Sequence, residues 1–404
     1  MFTNKNSSHK EATLLDTSLL AVAGGAIVTA LYPPIALIGA SMAWCGACGI
    51  GYYALSWSKF DRLWKNLNLC KGTAYPILDS KKKTDISEIY TFTLPSGLSI
   101  EDFDRCQTAI SQYLGRDIEI KYTYKAVQIE VFNQAQKSIY EFEPIQCKGK
   151  VEFPVGYDRR GNIVKCDLSS GEPHMLIAGE TGSGKSTVLR SIIANIILTK
   201  NIKLHLIDLK RGAEFQIFAN CKNVVDFART KTEAYQTLSD ISREVDRRYD
   251  LFFKHDCVDI KEYNRKFGGM EYEMLIIDEF ADLQQQKGSI QLLEEIAAKA
   301  RACGIHLIIS TQRPDHIVLN GRIKANVTTV LGLKTMNEAN SRIIIDKDGL
   351  ETLRGKGQGI FKKGSETLIQ CPYLSVEKAR ELLQHTYVKR DIQPSSVIVG
   401  DLLC

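Results

Sequence analysis

The chain has 404 residues, 44% of them hydrophobic and 25% charged, with a formal net charge of +5. That length and apolar content suffice for a full α/β domain plus one or two smaller pieces, and they exclude a disordered or fibrous chain. Eleven cysteines scattered without repeated spacing exclude a disulfide-framed secreted scaffold and fit a reducing compartment. The mild basicity is compatible with a polyanionic partner or an anionic membrane surface and selects neither.

The first feature in chain order is an uncharged run of 42 residues from Thr17 to Ser58, broken by Pro33 and Pro34. A membrane-spanning helix takes about 17 to 25 residues, so the run predicts a hairpin of two spans, about 17–32 and 35–57, within an amino-terminal region of residues 1–70. Lys5 and Lys10 precede it and Lys59, Arg62 and Lys65 follow it, which puts both termini on the cytoplasmic side of the cell membrane. Tyr52, Tyr53, Trp57 and Trp64 fall where an interfacial aromatic belt would lie. A buried hairpin in a soluble protein is the competing reading. Cys45 and Cys48, spaced like a redox pair, sit inside this apolar run rather than on the exposed strand-to-helix turn such chemistry requires.

Residues 71–150 predict a small α+β module. "IYTFTL", "IEIKYTY" and "VQIEVF" alternate as strands do, and Ile100 to Leu114 has helical spacing, so the expected order is strand, helix, strand, strand. No catalytic spacing occurs there.

From Val151 to about residue 370, buried strands alternate with amphipathic helices, the pattern of an α/β domain with a parallel sheet. The strand "HMLIAG" runs into Gly179, Glu180, Thr181, Gly182, Ser183, Gly184, Lys185, Ser186 and Thr187. This is a complete GxxxxGK[ST] loop between a strand and a helix, so the region reads as a P-loop NTPase domain. Its glycines let main-chain amides face the phosphates of ATP, Lys185 reaches the outer phosphates and Ser186 offers a hydroxyl to Mg2+. The expected second half is "EMLIIDEFADL", in which Asp278 would hold Mg2+ through water and Glu279 would polarise the attacking water. Capping of a helix beginning near Phe280 is the alternative for one of the two carboxylates. A third strand, "IHLIIST", delivers Gln312 as a candidate sensor of the outer phosphate. Residues 371–404 predict one helix, Ser375 to Gln384.

From Val151 to Phe361 the chain resembles the FtsK/SpoIIIE/HerA group of ring-forming DNA translocases. The resemblance is carried by "PHMLIAGETGSGKS", "LIDLKRGAEF", "LIIDEFADL", "KARACGIHLIISTQRP", "GRIKAN", "NSRIIID" and "GKGQGIF", in that order. It implies a RecA-like fold, a homo-hexamer with ATP between subunits, and Arg301 as an arginine that completes the neighbouring subunit's site, with helix-dipole capping as the competing role. It also implies duplex DNA gripped by phosphate contacts from Arg313 and Lys324, although a further basic position of some relatives is Glu338 here. Lys210 and Arg211 follow "LHLIDL" as the family's turn does, at a subunit contact, near the nucleotide, or as an ordinary solvated loop.

Only about 40 residues follow the match, so a carboxy-terminal domain that reads orienting sequences is expected to be missing. Two spans, a small module and one motor resemble the coupling proteins of Gram-positive conjugative elements, which bring relaxase-bound DNA to a membrane channel. A chromosome-segregating translocase is the alternative. A protein-export ATPase would be expected to carry several motors in tandem, and a non-hydrolysing scaffold would have no use for Glu279.

Overall fold

The computed structural model describes residues 60–123, 126–284, 286–313 and 321–388. The hairpin expected over residues 17–57 and the Cys45–Cys48 pair lie outside them, and among the described residues no helix is long and apolar enough to cross a membrane. The chain divides between Ala135 and Gln136 into two compact units.

The first unit is a four-stranded antiparallel sheet in the order β1-β2-β4-β3, made of β1 (Ile77–Lys83), β2 (Ser87–Thr93), β3 (Ile118–Thr123) and β4 (Ala126–Phe132), with helix α1 (Ile100–Leu114) between β2 and β3. The helix occupies the predicted residues because a Ser99–Asp102 capping box starts it and Gly115, at φ 63°, ends it. β1 was not expected. Its sequence, ILDSKKK, has no apolar alternation, and it exists by main-chain pairing with β2 and by Lys81 lying over the Tyr90 ring. Trp64 also departs from expectation. It is fully buried, edge-on to Phe92 and Phe103 in this unit's core, so it belongs to a packed interior and not to an interfacial belt.

In the second unit the chain makes β5 (Glu152–Tyr157), β6 (Ile163–Asp167), β7 (His174–Ala178), α2 (Lys185–Thr199), β8 (Lys203–Ile207), β9 (Val224–Ala228), α3 (Lys231–Lys254), α4 (Ile260–Lys266) and β10 (Glu273–Ile277). It continues with α5 (Phe280–Leu283), α6 (Ser289–Cys303), β11 (Ile305–Thr311), α7 (Gly321–Asn326), β12 (Thr329–Leu333), α8 (Glu338–Ile345), β13 (Gln358–Lys363), β14 (Ser365–Gln370) and α9 (Val376–Leu383).

One ten-stranded sheet organises this unit, in the order β6-β5-β14-β13-β12-β7-β11-β10-β8-β9. The six strands from β12 to β9 are parallel, as expected of uninterrupted apolar segments covered on both faces. The other four run antiparallel to their neighbours, so the expected parallel sheet is a mixed one. The hairpin connections at Gly161 and Gly364, both at positive φ, are too short for the crossover that parallel strands need.

Helices α2 and α9 cover one face of the sheet, and α3, α6 and α8 cover the other. Residues 136–150, expected with the small module, belong to this unit: Phe142 enters its core and the Ile145 amide donates to Asn195 Oδ1 at 2.7 Å. The carboxy-terminal helix packs Ala379 and Leu383 into the same core as Ile192 and Ile193 of α2.

Two buried histidines tie strand starts to their surroundings. His174 contacts the Ala297 carbonyl through Nε2 at 3.0 Å and accepts the Leu307 amide at Nδ1, while His306 Nδ1 lies 2.9 Å from the Pro173 carbonyl. Burial pushes His174 down to about 3 and His306 down to about 4, so the folded chain holds both neutral. The unfolded chain takes up their protons from about pH 6.5 downward, and stability therefore falls with pH in that window, by up to about 1.4 kcal/mol per pH unit for each ring. Denaturation midpoints should drop between pH 7 and pH 5, and His306→Gln should flatten the drop. A midpoint constant across that range would contradict the assignment.

Candidate nucleotide site

The P-loop leaves the carboxyl end of β7, flanked by the ends of β11 and β12. Its course is fixed by main-chain bonds from the Gly179 amide to the Thr311 carbonyl (3.3 Å) and from the Glu180 amide to the Lys334 carbonyl (2.9 Å). Gly184 caps α2 at φ 104°, and a Cβ there would lie 2.5 Å from the Gly357 nitrogen, because the Gly357 amide donates to the Ser183 carbonyl at 2.7 Å. The "GKG" segment before β13 thus packs directly on the phosphate loop. Thr181 and Gly182 remain exposed, and Ser186 and Thr187 are half-buried in the first turn of α2, where amides have no intrahelical partner and face an anion.

Lys185 is buried. Its Nζ donates to Asp278 Oδ1 (2.9 Å), the Asp278 carbonyl (3.0 Å) and Ser310 Oγ (2.9 Å). Asp278 Oδ2 and Ser183 Oγ are buried with no hydrogen-bond partner, and an unsatisfied buried carboxylate oxygen beside a phosphate loop is what a metal's water shell would complete. The donor set therefore fits ATP with Mg2+.

Glu279 occupies the N-cap position of α5 but makes no side-chain cap bond, so the capping alternative does not account for it. Its carboxylate instead accepts from Thr311 Oγ1 at 2.8 Å and from the Gln312 amide at 3.1 and 3.2 Å. Gln312 turns its side chain to the P-loop, with Oε1 accepting from Thr181 Oγ1 at 2.9 Å.

Lys210, left between several roles by its sequence, brings Nζ to 3.6 Å from Asp278 Oδ2 and 3.9 Å from Glu279 Oε2. Arg301 lies elsewhere. It is exposed in the last turn of α6, which Gly304 ends at φ 72°, and the Gly304 carbonyl accepts the amide of Glu273, the first residue of β10. The P-loop follows the last residue of the five-residue β7, so Arg301 stands about one strand length, roughly 15 Å, away from its own chain's phosphate site.

Arg313 is exposed next to the undescribed residues 314–320. Lys324 donates to Asp346 Oδ1 at 2.6 Å and to the Ile343 carbonyl at 2.9 Å, closing the end of α8. This half-exposed ion pair costs little to open for a phosphate.

Four contributors escaped the reading by sequence: Ser310, Thr311, Asp208 and the Gly357 loop. Asp208 had a signal, since "LHLID" ends an apolar strand in an acid just as "MLIID" does. Its buried carboxylate accepts amides of Lys210, Glu214 and Phe215 and so shapes the turn that carries Lys210.

Residues 138–275 match the FtsK/SpoIIIE family. The chain is 30% identical over 358 residues to the DNA translocase FtsK of Treponema pallidum, covering 80% of this chain and 44% of that protein. It is 34% identical over 312 residues to the FtsK of Borreliella burgdorferi, covering 69% and 39%. The chain thus spans less than half the length of these curated relatives. Among solved structures, the pCW3 conjugation coupling protein TcpA, in a monomer form with ATPγS, is similar at 26% identity and a TM-score of 0.56, over 80% of this chain and 97% of that one. The cytoplasmic domain of the Type VII secretion ATPase EccC of Thermomonospora curvata, at 20% identity and a TM-score of 0.53 over 61% of this chain and 32% of that one, shares the fold. With the P-loop, the two carboxylates and the family match in one unit, the chain carries an FtsK/SpoIIIE-family P-loop domain with a site built for ATP.

Proposed function

We propose that the chain is a membrane-anchored, ATP-driven DNA translocase that acts as the coupling protein of a conjugative element. The observation that carries the motor reading is the convergence of Lys185, Asp278 and Glu279 at the phosphate loop, with Arg301 exposed at the opposite end of the sheet. A site built this way is complete only when a second copy supplies its arginine, which suits a ring whose subunits fire against one another. In this reading Lys185 and the first amides of α2 bind the ATP phosphates, Ser186 and Asp278 hold Mg2+, and Glu279 takes the proton of the attacking water. Bound Mg2+ would neutralise the phosphate charge that develops in transfer.

DNA as the substrate is supported by the FtsK relatives. The coupling role is supported by the likeness to TcpA, which runs through 97% of that structure. Residues 17–57 would anchor the ring with both termini in the cytoplasm, Arg313 and Lys324 would hold DNA phosphates, and a relaxase and channel proteins would be the partners. Chromosome segregation is the second reading; the curated relatives, named DNA translocase FtsK, support a DNA motor in either role.

The test uses the full-length chain in membranes. Duplex DNA should raise ATP turnover, and added salt should suppress the gain through lost phosphate contacts. Arg301→Ala and Lys185→Ala chains should each be inactive alone, yet recover turnover when mixed, because some interfaces then pair an intact Lys185 with an intact Arg301. Recovery absent from mixed rings that assemble would sink the shared site, and a turnover indifferent to DNA would sink the DNA motor. In cells, a Glu279→Gln allele that blocks transfer of DNA to a recipient while chromosome partition stays normal separates the coupling role from segregation.

A further inference from the structure

The hydrolysis site contains a second lysine that the phosphate-loop motif does not provide. β8 and β10 are parallel neighbours with Ile207 beside Ile277, so the turn after β8 rises next to Asp278 and Glu279. That turn is held rigidly. Asp208 is fully buried and binds three of its amides, Arg211 (φ 61°) and Gly212 (φ 79°) both adopt the left-handed region, and a Cβ on Gly212 would meet the Phe227 ring at 2.7 Å. A turn so constrained fixes where the Lys210 stem begins.

The stem ends with Nζ within 4 Å of one oxygen from each carboxylate, Asp278 Oδ2 at 3.6 Å and Glu279 Oε2 at 3.9 Å. Asp278 Oδ2 has no hydrogen-bond donor, and Lys185 is committed to the other oxygen, Oδ1. Among the described residues, the charged groups that reach this carboxylate pair are Lys185 from the start of α2 and Lys210 from the β8 turn, and β11 faces Glu279 with uncharged Thr311 and Gln312.

We propose that Lys210 is a positioning residue for hydrolysis: its ammonium draws Glu279 Oε2, to which the Gln312 amide also donates, while Thr311 holds Oε1, so that the base meets the attacking water in one orientation. This rests on Glu279 being the water-activating group. An electrostatic tether from a half-exposed lysine costs little to hold and acts on orientation rather than on nucleotide affinity.

The experiment compares Lys210→Ala, Lys210→Arg and Glu279→Gln in the full-length chain, measuring kcat and KM for ATP and direct binding of ATPγS. Lys210→Ala should lower kcat by about tenfold to a hundredfold, part of the 10²–10⁴ associated with the base itself, with KM and ATPγS affinity within about threefold of wild type. Lys210→Arg should restore most of the loss, which a defect in folding of the turn would not explain. In a Glu279→Gln background, Lys210→Ala should add little. If kcat survives Lys210→Ala while Glu279→Gln abolishes it, the inference on Lys210 fails alone. If Lys210→Ala weakens ATPγS binding and leaves kcat intact, the lysine is a nucleotide ligand and the positioning role is wrong. If Glu279→Gln keeps its turnover, the reading of the site itself has failed.

Discussion

Glu279→Gln is expected to lower ATP turnover by a factor on the order of 10² to 10⁴, the range for losing a positioned general base, while ATP still binds. The substitution keeps the shape of the side chain, and its amide oxygen can still accept the hydrogen bond that Thr311 Oγ1 now gives at 2.8 Å. The changes are loss of the charge facing Lys210 and loss of a carboxylate able to take a proton. The groups proposed to bind phosphate, namely Lys185 and the amides around Gly184, are separate from it and stay in place, so titration with a fluorescent ATP analogue should match wild type. A Glu279→Gln chain retaining more than about a tenth of normal turnover would remove the carboxylate from the chemistry, given the rate factors expected of a general base.

How much of this site could be read in advance depends on how local each signal was. The P-loop and the Asp278–Glu279 pair are written in contiguous residues whose strand-then-loop order is itself the signal. Gln312 could be placed at a strand end, but its bond to Thr181 joins residues 131 positions apart, and no periodicity reports such a distance. The same holds for Lys210, whose role depends on β8 lying beside β10, and for Gly357, which touches Gly184 only because the chain returns through α8 to lay β13 antiparallel to β12. The parallel strands were legible as apolar runs. The antiparallel flank was not, since "VEFPVGY" and "SETLIQ" carry mixed polarity and earn strand geometry from neighbours. β1 shows the same limit: three consecutive lysines read as solvated surface, and they are, on an edge strand whose main chain is nevertheless paired.

Arg248→Met should give the largest loss of stability, about 3 to 5 kcal/mol, the cost typical of removing one partner from a buried ion pair. Arg248 is 2% exposed and spends its donors on Glu244 Oε1 (2.7 Å), the carbonyls of Glu271 (3.0 Å) and Cys303 (2.7 Å), and Glu273 Oε1. Methionine fills the volume but leaves Glu273 buried with His205 still beside it and the Arg248 charge gone, and leaves two carbonyls without that donor. Burial alone would push the Glu273 carboxyl up, yet the His205 hydrogen bond and the Arg248 charge outweigh it and hold the group below the usual range. Hydrogen bonds from Arg247 and Arg248 hold Glu244 down at about 2. Both groups therefore contribute stability above about pH 4.5 that is lost as pH falls toward 2, and urea unfolding should show the wild-type advantage over Arg248→Met shrinking across that window. Adding Glu273→Leu to Arg248→Met should recover part of the loss by removing the stranded charge. The Cys303 carbonyl ends the helix that carries Arg301, so on the proposed sharing of Arg301 between copies the variant should also lose hydrolysis under conditions where it remains folded and binds ATPγS normally. Unfolding curves that overlay wild type at pH 7 would show that the network contributes nothing to holding this end of the sheet.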